Sequence, residues 1–411
     1  MLEKDREISI KRANELKKQA VLDIKGKSKV AFGMSQTSIE NENKNKLRIL
    51  EILHATEEEW NDPKWQMKNR ITNLKTLLKI HSFSQKESED IMKVSKIYRF
   101  AITPYYLSLI DFDNPNCPIK KQCFPNALES DNFGELDPMS EKTTNPSGTI
   151  TRRYPNKLII NITNSCPSYC RHCQRRRLIG EKDMETSKEL IDESIKYIRE
   201  NEEIREVLIT GGDALTVSNE KLEYILKKLY QIKHVEILRL GTRVLATMPQ
   251  RINDELAIIL RKYKVFVATQ FNHALELTPE AIKAVDTLVD HGVQVRNQMV
   301  LLKGINDDKY IMQKTNEELV KARVIPYYLF HPKQVKGTGH FQVSIEKGLE
   351  IMKHLEGHTS GMCKPTYILN AKGGLGKVPL FPIQNLEQTE KGRSEERRVG
   401  KECRSRWSPY H

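Results

Sequence analysis

From residue 157 to about 370 the chain alternates between short apolar runs and longer amphipathic stretches. The apolar, β-rich runs fall at 157–163, 206–210, 235–241, 265–270, 294–302 and 324–330. Between them, SKELIDESIKYIRE, NEKLEYILKKLYQI, NDELAIILRKY, PEAIKAVDTLVDHG and KYIMQKTNEELVKAR each carry apolar residues at three- and four-residue spacing. That is the period of a helix with one buried face. Alternation of this kind predicts parallel strands joined by right-handed crossovers. Six units predict an α/β fold, a partial (β/α)6 TIM-like barrel open on one side, with ligands at the C-terminal strand ends.

The first 150 residues read differently. Helical patterns run over roughly 2–20, 64–80 and 85–111, the last stopped by DFDNPNCP. Trp60, Trp65, Tyr105 and Tyr106 are expected to pack this region together, and the polar, Pro- and Gly-containing stretch 126–150 reads as a surface connection. The expected division is therefore 1–150, a helical region with its connection, followed by the barrel over 151–380. Residues 381–392 then read as the start of a truncated C-terminal region. The last stretch, 393–411 (RSEERRVGKECRSRWSPYH), looks like a translated sequencing adapter, which would leave Cys403 and Trp407 without a biological role.

Composition narrows the class. With 38% hydrophobic and 29% charged residues among 411, the chain reads as globular. No apolar stretch approaches the length of a membrane span, and the charged N-terminus lacks a signal-peptide core, so a cytoplasmic protein without a membrane partner is expected. The net charge of +13 invites a nucleic-acid reading, but the basic residues are dispersed and lack aromatic interleaving, so no nucleic-acid partner is expected. The tail alone contributes six basic against three acidic residues. Seven cysteines without a disulfide pattern fit a reducing compartment.

Three of those cysteines carry the chemistry. Cys166, Cys170 and Cys173 lie in NITNSCPSYCRHCQRRR with C-x3-C-x2-C spacing, directly after an apolar run. Three thiolates on one short loop can hold three irons of a [4Fe–4S] cube and leave the fourth iron open to a small chelating molecule. The competing reading is a zinc knuckle with His172 as fourth ligand, although a histidine between two ligating cysteines is poorly placed to reach the same metal. The loop resembles that of the radical S-adenosylmethionine enzymes, in which the chelating molecule is S-adenosylmethionine. The next strand ends in Gly211-Gly212-Asp213, where glycines permit close backbone approach and a carboxylate can accept from an ammonium group. The resemblance implies that this turn holds the methionine amino group. Gln298, in VRNQMVLL, is a candidate for the ribose, with a capped polar strand end equally open.

A second signal is the segment Asn370 to Lys377, NAKGGLGK, followed by Val-Pro. A P-loop needs Ser or Thr after the lysine, and valine stands there. A lysine on a glycine-rich loop can instead form and release a Schiff base with pyridoxal phosphate; a surface lysine in a turn is the alternative. Taken together, CPSYCRHCQRRR, LITGGDAL, GHTSGMCKPTYILNAKGGLGKVP and the strand order resemble the lysine 2,3-aminomutase family from about residue 55 to 380. The resemblance implies a [4Fe–4S] cluster, S-adenosylmethionine and pyridoxal 5′-phosphate, used to move an α-amino group to the β-carbon. It also implies a one-electron donor such as flavodoxin or ferredoxin, and a homo-oligomer. It places the Schiff-base lysine on Lys377, the phosphate contacts on Arg153 and Lys157 of TRRYPNK, and the substrate α-carboxylate clamp on Arg175. At the second phosphate position the family more often has arginine, so the bidentate fork is lost at Lys157.

Substrate choice is expected to turn on two positions. Where lysine-specific members hold an ε-ammonium group with two aspartates, this chain has Lys333 and Asn370. A cation and a neutral amide would repel an ammonium group and attract a carboxylate, as in the glutamate-acting members. The implied reaction interconverts L-glutamate and β-glutamate (3-aminoglutarate), with lysine or another amino acid as the alternative substrate. Two departures stand out. Gln270, in TQFNH, replaces a histidine near S-adenosylmethionine, and Asp307-Asp308 stand where family members have an interface zinc cysteine, so no zinc is expected there. An RNA-modifying radical enzyme would leave Lys377 without a role. A structural zinc protein is the remaining class.

Overall fold

The computed structural model describes residues 2–179 and 182–381. Residues 382–392 of the expected C-terminal region, and the 393–411 tail with Cys403 and Trp407, lie outside them. Nine strands form one sheet in sequence order: β1 (Ile150–Thr151), β2 (Lys157–Asn161), β3 (Glu206–Thr210), β4 (Ile237–Gly241), β5 (Phe266–Thr269), β6 (Val295–Val300), β7 (Ile325–Phe330), β8 (Thr366–Asn370) and β9 (Lys377–Pro379). β2 through β8 are parallel, and β1 and β9 cap the two edges antiparallel.

The partial TIM-like barrel is present, and the six expected strands are β2 to β7. The parallel run extends one strand further, to β8, and each edge gains a short antiparallel partner. The crossover helices Lys188–Glu200, Asn219–Tyr230, Asp254–Lys262, Pro279–Asp290, Lys309–Lys321 and Ile345–Leu355 fill the intervals. Each starts after a short polar residue (Ser187, Ser218, Asn253, Thr278, Asp308, Ser344) whose side chain accepts a backbone N–H of the first turn. Such caps contribute about 1 kcal/mol apiece. The apolar faces of these helices and the helix-facing strand positions form one large core, including Ile160, Ile209, Leu240, Val267 and Leu329.

The N-terminal helices build a second apolar cluster around Trp60, Tyr105 and Tyr106, with Trp65 packed on its edge. Here the expected boundaries need correction. The first helix runs on to Lys27, and the helix Gln36–Leu53 was not anticipated. The 64–80 pattern splits into Pro63–Lys68 and Leu74–Ile80, because Ile71 pairs with Ile102 and Asn73 caps a new start. The 85–111 pattern ends at Ser95 and restarts at Pro104, which cannot sit inside a helix. The 126–150 stretch is not simply a surface connection, since Glu129 is 1% and Glu141 6% exposed. Both carboxylates pair with arginines of the cysteine loop, which draws the segment inward. Among the described residues no helix is long and apolar enough to cross a membrane.

Candidate active site

The C-terminal strand ends surround a cavity of 670 Å³. The cysteine loop forms one wall and the β8–β9 hairpin another, and every candidate cofactor- or substrate-binding residue lines the space between.

The cysteine loop follows β2 and is held from outside. The Arg171 guanidinium is 2% exposed and donates to Glu129 at 2.7 and 2.9 Å, while Arg176 reaches the same carboxylate at 2.8 Å. Burial pushes the Cys166 thiol well up, and that of Cys173 to about 11, so their deprotonation needs a cation alongside. Among the described residues, the one set of three His, Cys, Asp or Glu side chains with donor atoms all within 4.8 Å of one another lies elsewhere. The cysteine trio is thus more widely spread than a zinc knuckle, in which bonds of about 2.3 Å hold sulfurs roughly 3.8 Å apart. The Nε2 of His172 is engaged elsewhere, facing the amides of Gln270 at 3.2 Å and Asn272 at 3.4 Å, while its Nδ1 is buried without a partner. Burial and the neighbouring Arg243 keep this ring neutral.

Glycine is required at the end of β3. A Cβ on Gly211, whose φ is +131°, would lie 2.2 Å from the Thr163 carbonyl, and one on Gly212 2.2 Å from that of Ser165. The turn therefore packs directly on the strand that leads into the cysteine loop, with Gly212 N donating to Thr163 O at 2.6 Å. The Asp213 carboxylate lines the cavity but is already occupied by protein donors: the Thr242 hydroxyl and Arg243 N–H, both at 2.6 Å, and Leu215 N–H at 3.1 Å. It ties the end of β3 to the end of β4. Arg243 itself was not anticipated. Its fully buried guanidinium donates to Cys170 Sγ at 2.8 Å, Gln122 at 2.6 Å and Glu276 at 2.5 Å, placing a fixed positive charge beside one cysteine.

The opposite wall is built on the hairpin. β8 and β9 pair so that Asn370 lies directly across from Lys377. The connecting turn needs glycine, with φ of +67°, +74° and +128° at Gly373, Gly374 and Gly376. Lys377 thus starts an edge strand instead of riding on a free loop. Its ammonium group sits 4.5 Å from the Tyr328 ring centroid and 5.4 Å from that of Phe330. Burial, then Arg239 and Lys157, pushes its pKa down to about 8, with Glu206 opposing. An appreciable fraction of free amine is therefore present near neutrality. Asn370 Nδ2 and Gln298 Nε2 are buried without a hydrogen-bond partner. A register shift at Asn297/Gln298 re-aims the latter side chain.

Between the walls lies a cationic cluster. Lys333 Nζ donates to Gln174, and burial, then Arg153, pushes its pKa down to about 7, with Glu141 opposing. Burial alone would raise the Glu141 carboxyl, but Arg175, Arg153 and Lys333 outweigh it and hold it below the usual range. Arg175 Nε lies 3.2 Å from Glu141, and Arg153 and Arg177 each lie 3.8 Å away. Lys157 Nζ is 4.7 Å from the Tyr154 ring centroid, on the Lys377 side. Glu141, Gln174, Tyr328, Arg239 and Arg243 were missed by sequence reasoning. None of them left a local signal: Glu141, for example, meets Arg175 across 34 positions of sequence.

Residues 160–312 match the radical SAM superfamily, and residues 352–393 match lysine-2,3-aminomutase. A glutamate 2,3-aminomutase from Clostridioides difficile is 54% identical over 377 residues, covering 91% of this chain and 89% of that one. The chain belongs to the radical SAM lysine 2,3-aminomutase family. The L-lysine 2,3-aminomutase of Acetoanaerobium sticklandii is 45% identical and covers 82% of each chain; that of Bacillus subtilis is 44% identical, covering 81% and 71%. The family is one of isomerases that use a [4Fe–4S] cluster and S-adenosylmethionine. The donor set fits both. The three sulfurs are spread too widely for one small ion, Arg243 offsets negative charge at Cys170, and the Gln298 amide waits for an acceptor.

Proposed function

We propose that this aminomutase interconverts L-glutamate and β-glutamate, using pyridoxal 5′-phosphate on Lys377 in addition to the cluster and S-adenosylmethionine. The observation that carries the substrate reading is the pairing of Lys333 with the partnerless Asn370 Nδ2 in one cationic cavity. A buried amide donor and an ammonium group suit a second carboxylate. They oppose an ε-ammonium group, whose desolvation would go uncompensated. The 54% identical relative that acts on glutamate supports the same choice.

When bound, the cluster with S-adenosylmethionine supplies a carbon radical that removes hydrogen, and the pyridoxal ring delocalises unpaired spin. The remaining work belongs to the chain. Cys166, Cys170 and Cys173 would hold the cluster, and the Gly211–Asp213 turn, Gln270 and Gln298 would line the S-adenosylmethionine side. Lys377, with its depressed pKa, is the amine that would hold the aldehyde and yield it to the substrate amine. Arg153 and Lys157 stand ready for the phosphate. Arg175 would exchange the Glu141 carboxylate for the substrate's α-carboxylate, while Lys333 and Asn370 take the γ-carboxylate. Walls of packed aromatic rings, Tyr328 and Phe330, limit water at the reacting carbons. One electron must come from an external reductant, and the active unit is proposed to be a homo-oligomer.

The test is anaerobic product analysis with glutamate and lysine supplied separately, plus S-adenosylmethionine and reductant. Formation of 3-aminoglutarate from glutamate is expected. Conversion of lysine without conversion of glutamate would transfer the assignment to the lysine-acting members, the second reading that the 45% identical relative keeps open.

A further inference from the structure

Far from the cavity's chemistry, the first helix lies along the barrel's outer surface. Lys27 pairs with Glu317 at 2.8 Å, and Gly26 rests on the Tyr310 ring so closely that a Cβ would fall 2.4 Å from it. At this seam Asp23, His354 and His358 each present a donor atom, all within 4.8 Å of one another.

The two histidines have their tautomers fixed by neighbours. Gln313 is fully buried, and its Nε2 donates to Glu317 Oε1 at 3.0 Å and to the His358 carbonyl at 2.7 Å. Its Oε1 is therefore the acceptor that faces His354 Nε2 at 3.0 Å, so that nitrogen carries the proton. His358 Nδ1 faces the Glu356 carbonyl at 3.1 Å, which can only accept, so Nδ1 carries the proton there. Nδ1 of His354 and Nε2 of His358 are left as lone-pair nitrogens. His358 Nε2 stands 3.9 Å from Asp23 Oδ2, too far for a hydrogen bond. Two imidazoles, stacked with ring centroids 4.6 Å apart, and a carboxylate thus face one another at the seam, with Lys309 as a nearby cation.

This arrangement matches a metal site whose outer partners are already in place. Ligating histidines characteristically donate their other N–H to a carbonyl or carboxylate. With bonds of about 2.0 Å, ligands on one zinc ion sit roughly 3–4 Å apart, which the 3.9 Å gap accommodates. We propose that Asp23, His354 and His358 bind a divalent transition metal such as zinc, with water completing the shell, and so clasp the helix Leu2–Lys27 to the barrel. Two histidines and a carboxylate suit a borderline ion such as zinc better than calcium or magnesium. The site borders the Asp307-Asp308 loop, with Tyr310 packed edge-on against His354 at 5.3 Å, but takes no ligand from it, and it stands independently of the proposed function.

The test uses untagged full-length protein with its iron–sulfur cluster in place, dialysed anaerobically against Co²⁺ and, separately, Zn²⁺. About one equivalent beyond the cluster iron is expected, with the ligand-field spectrum of nitrogen- and oxygen-bound cobalt and no thiolate charge transfer. D23A, H354A and H358A should each weaken binding at least roughly tenfold. His358 is exposed, so H358A probes the site without opening the core, and circular dichroism checks each variant's fold. An absent extra equivalent at micromolar metal, thiolate bands, or undiminished binding by H358A would overturn the proposal.

Discussion

The two walls of the cavity are finished to different degrees. On the cysteine side the buried charges are paired within the protein, even though the neutral Gln298 Nε2 and His172 Nδ1 have no partner: Asp213 accepts three hydrogen bonds, and Arg171 and Arg176 share Glu129. On the hairpin side they are held in waiting. Asn370 Nδ2 lacks a partner, and Lys333 and Lys377 are pushed down to about 7 and about 8 by burial among other cations. Saturated networks hold a fixed geometry, whereas unsatisfied donors and crowded cations store a demand for incoming anions. On the proposed function, the first wall would scaffold inorganic chemistry and the second would receive phosphate and carboxylates.

The sharpest way to break this contrast is Lys377→Ala. Removal of the amine proposed to form the imine should lower turnover by three orders of magnitude or more, while cluster iron and S-adenosylmethionine binding stay intact. Anaerobic turnover assays beside iron analysis check both halves. Cys170→Ala should do the reverse, losing the cluster yet retaining the pyridoxal absorbance.

Next comes the exchange of charge at the receptor wall. Lys333→Asp combined with Asn370→Asp should reduce kcat/KM for glutamate by about 100-fold or more, since a carboxylate would then meet like charge in a poorly solvated pocket, and should raise activity toward lysine. Competition between the two substrates measures this directly. A double variant with unchanged preference would remove these residues from the specificity account.

Much of this contrast was legible in the sequence, though unevenly. The barrel emerged from its periodicity, because each crossover helix carries a clean apolar face and each parallel strand an apolar run. β1 and β9 did not, since they are short edge elements defined by pairing and not by pattern, and neither did β8, which pairs on both sides but lies beyond the six-unit alternation. The long helix expected over 85–111 failed at Pro104, where the Thr103 cap and the Ile71–Ile102 bridge override local propensity. In the site, residues carried by contiguous motifs were visible. Glu141 and Arg243 act through contacts to residues 34 and 73 positions away, a separation that no local spacing encodes.

The smallest expected effect concerns pH. With a folded-state pKa of about 7 against 10.5 for ordinary lysine, Lys333 is protonated in the free site only below about 7. Glutamate affinity should therefore fall as pH rises above 7, by up to tenfold per unit, until the value for the bound state is reached. Between 7 and 10.5 the unfolded chain binds more protons at this lysine, so its contribution to stability should rise with pH across that window. Lys333→Met should flatten both trends, as read by calorimetric titration and thermal melts.

On the proposed function, the cluster wall and the hairpin wall serve one reacting carbon. The direct measurement is isotope transfer: glutamate deuterated at its β-carbon is incubated anaerobically with the protein, reductant and S-adenosylmethionine. Deuterium should appear in the 5′-methylene of recovered S-adenosylmethionine, and Lys377→Ala should abolish the transfer. Recovery of unlabelled S-adenosylmethionine alongside 3-aminoglutarate, or undiminished label transfer in Lys377→Ala, would contradict it.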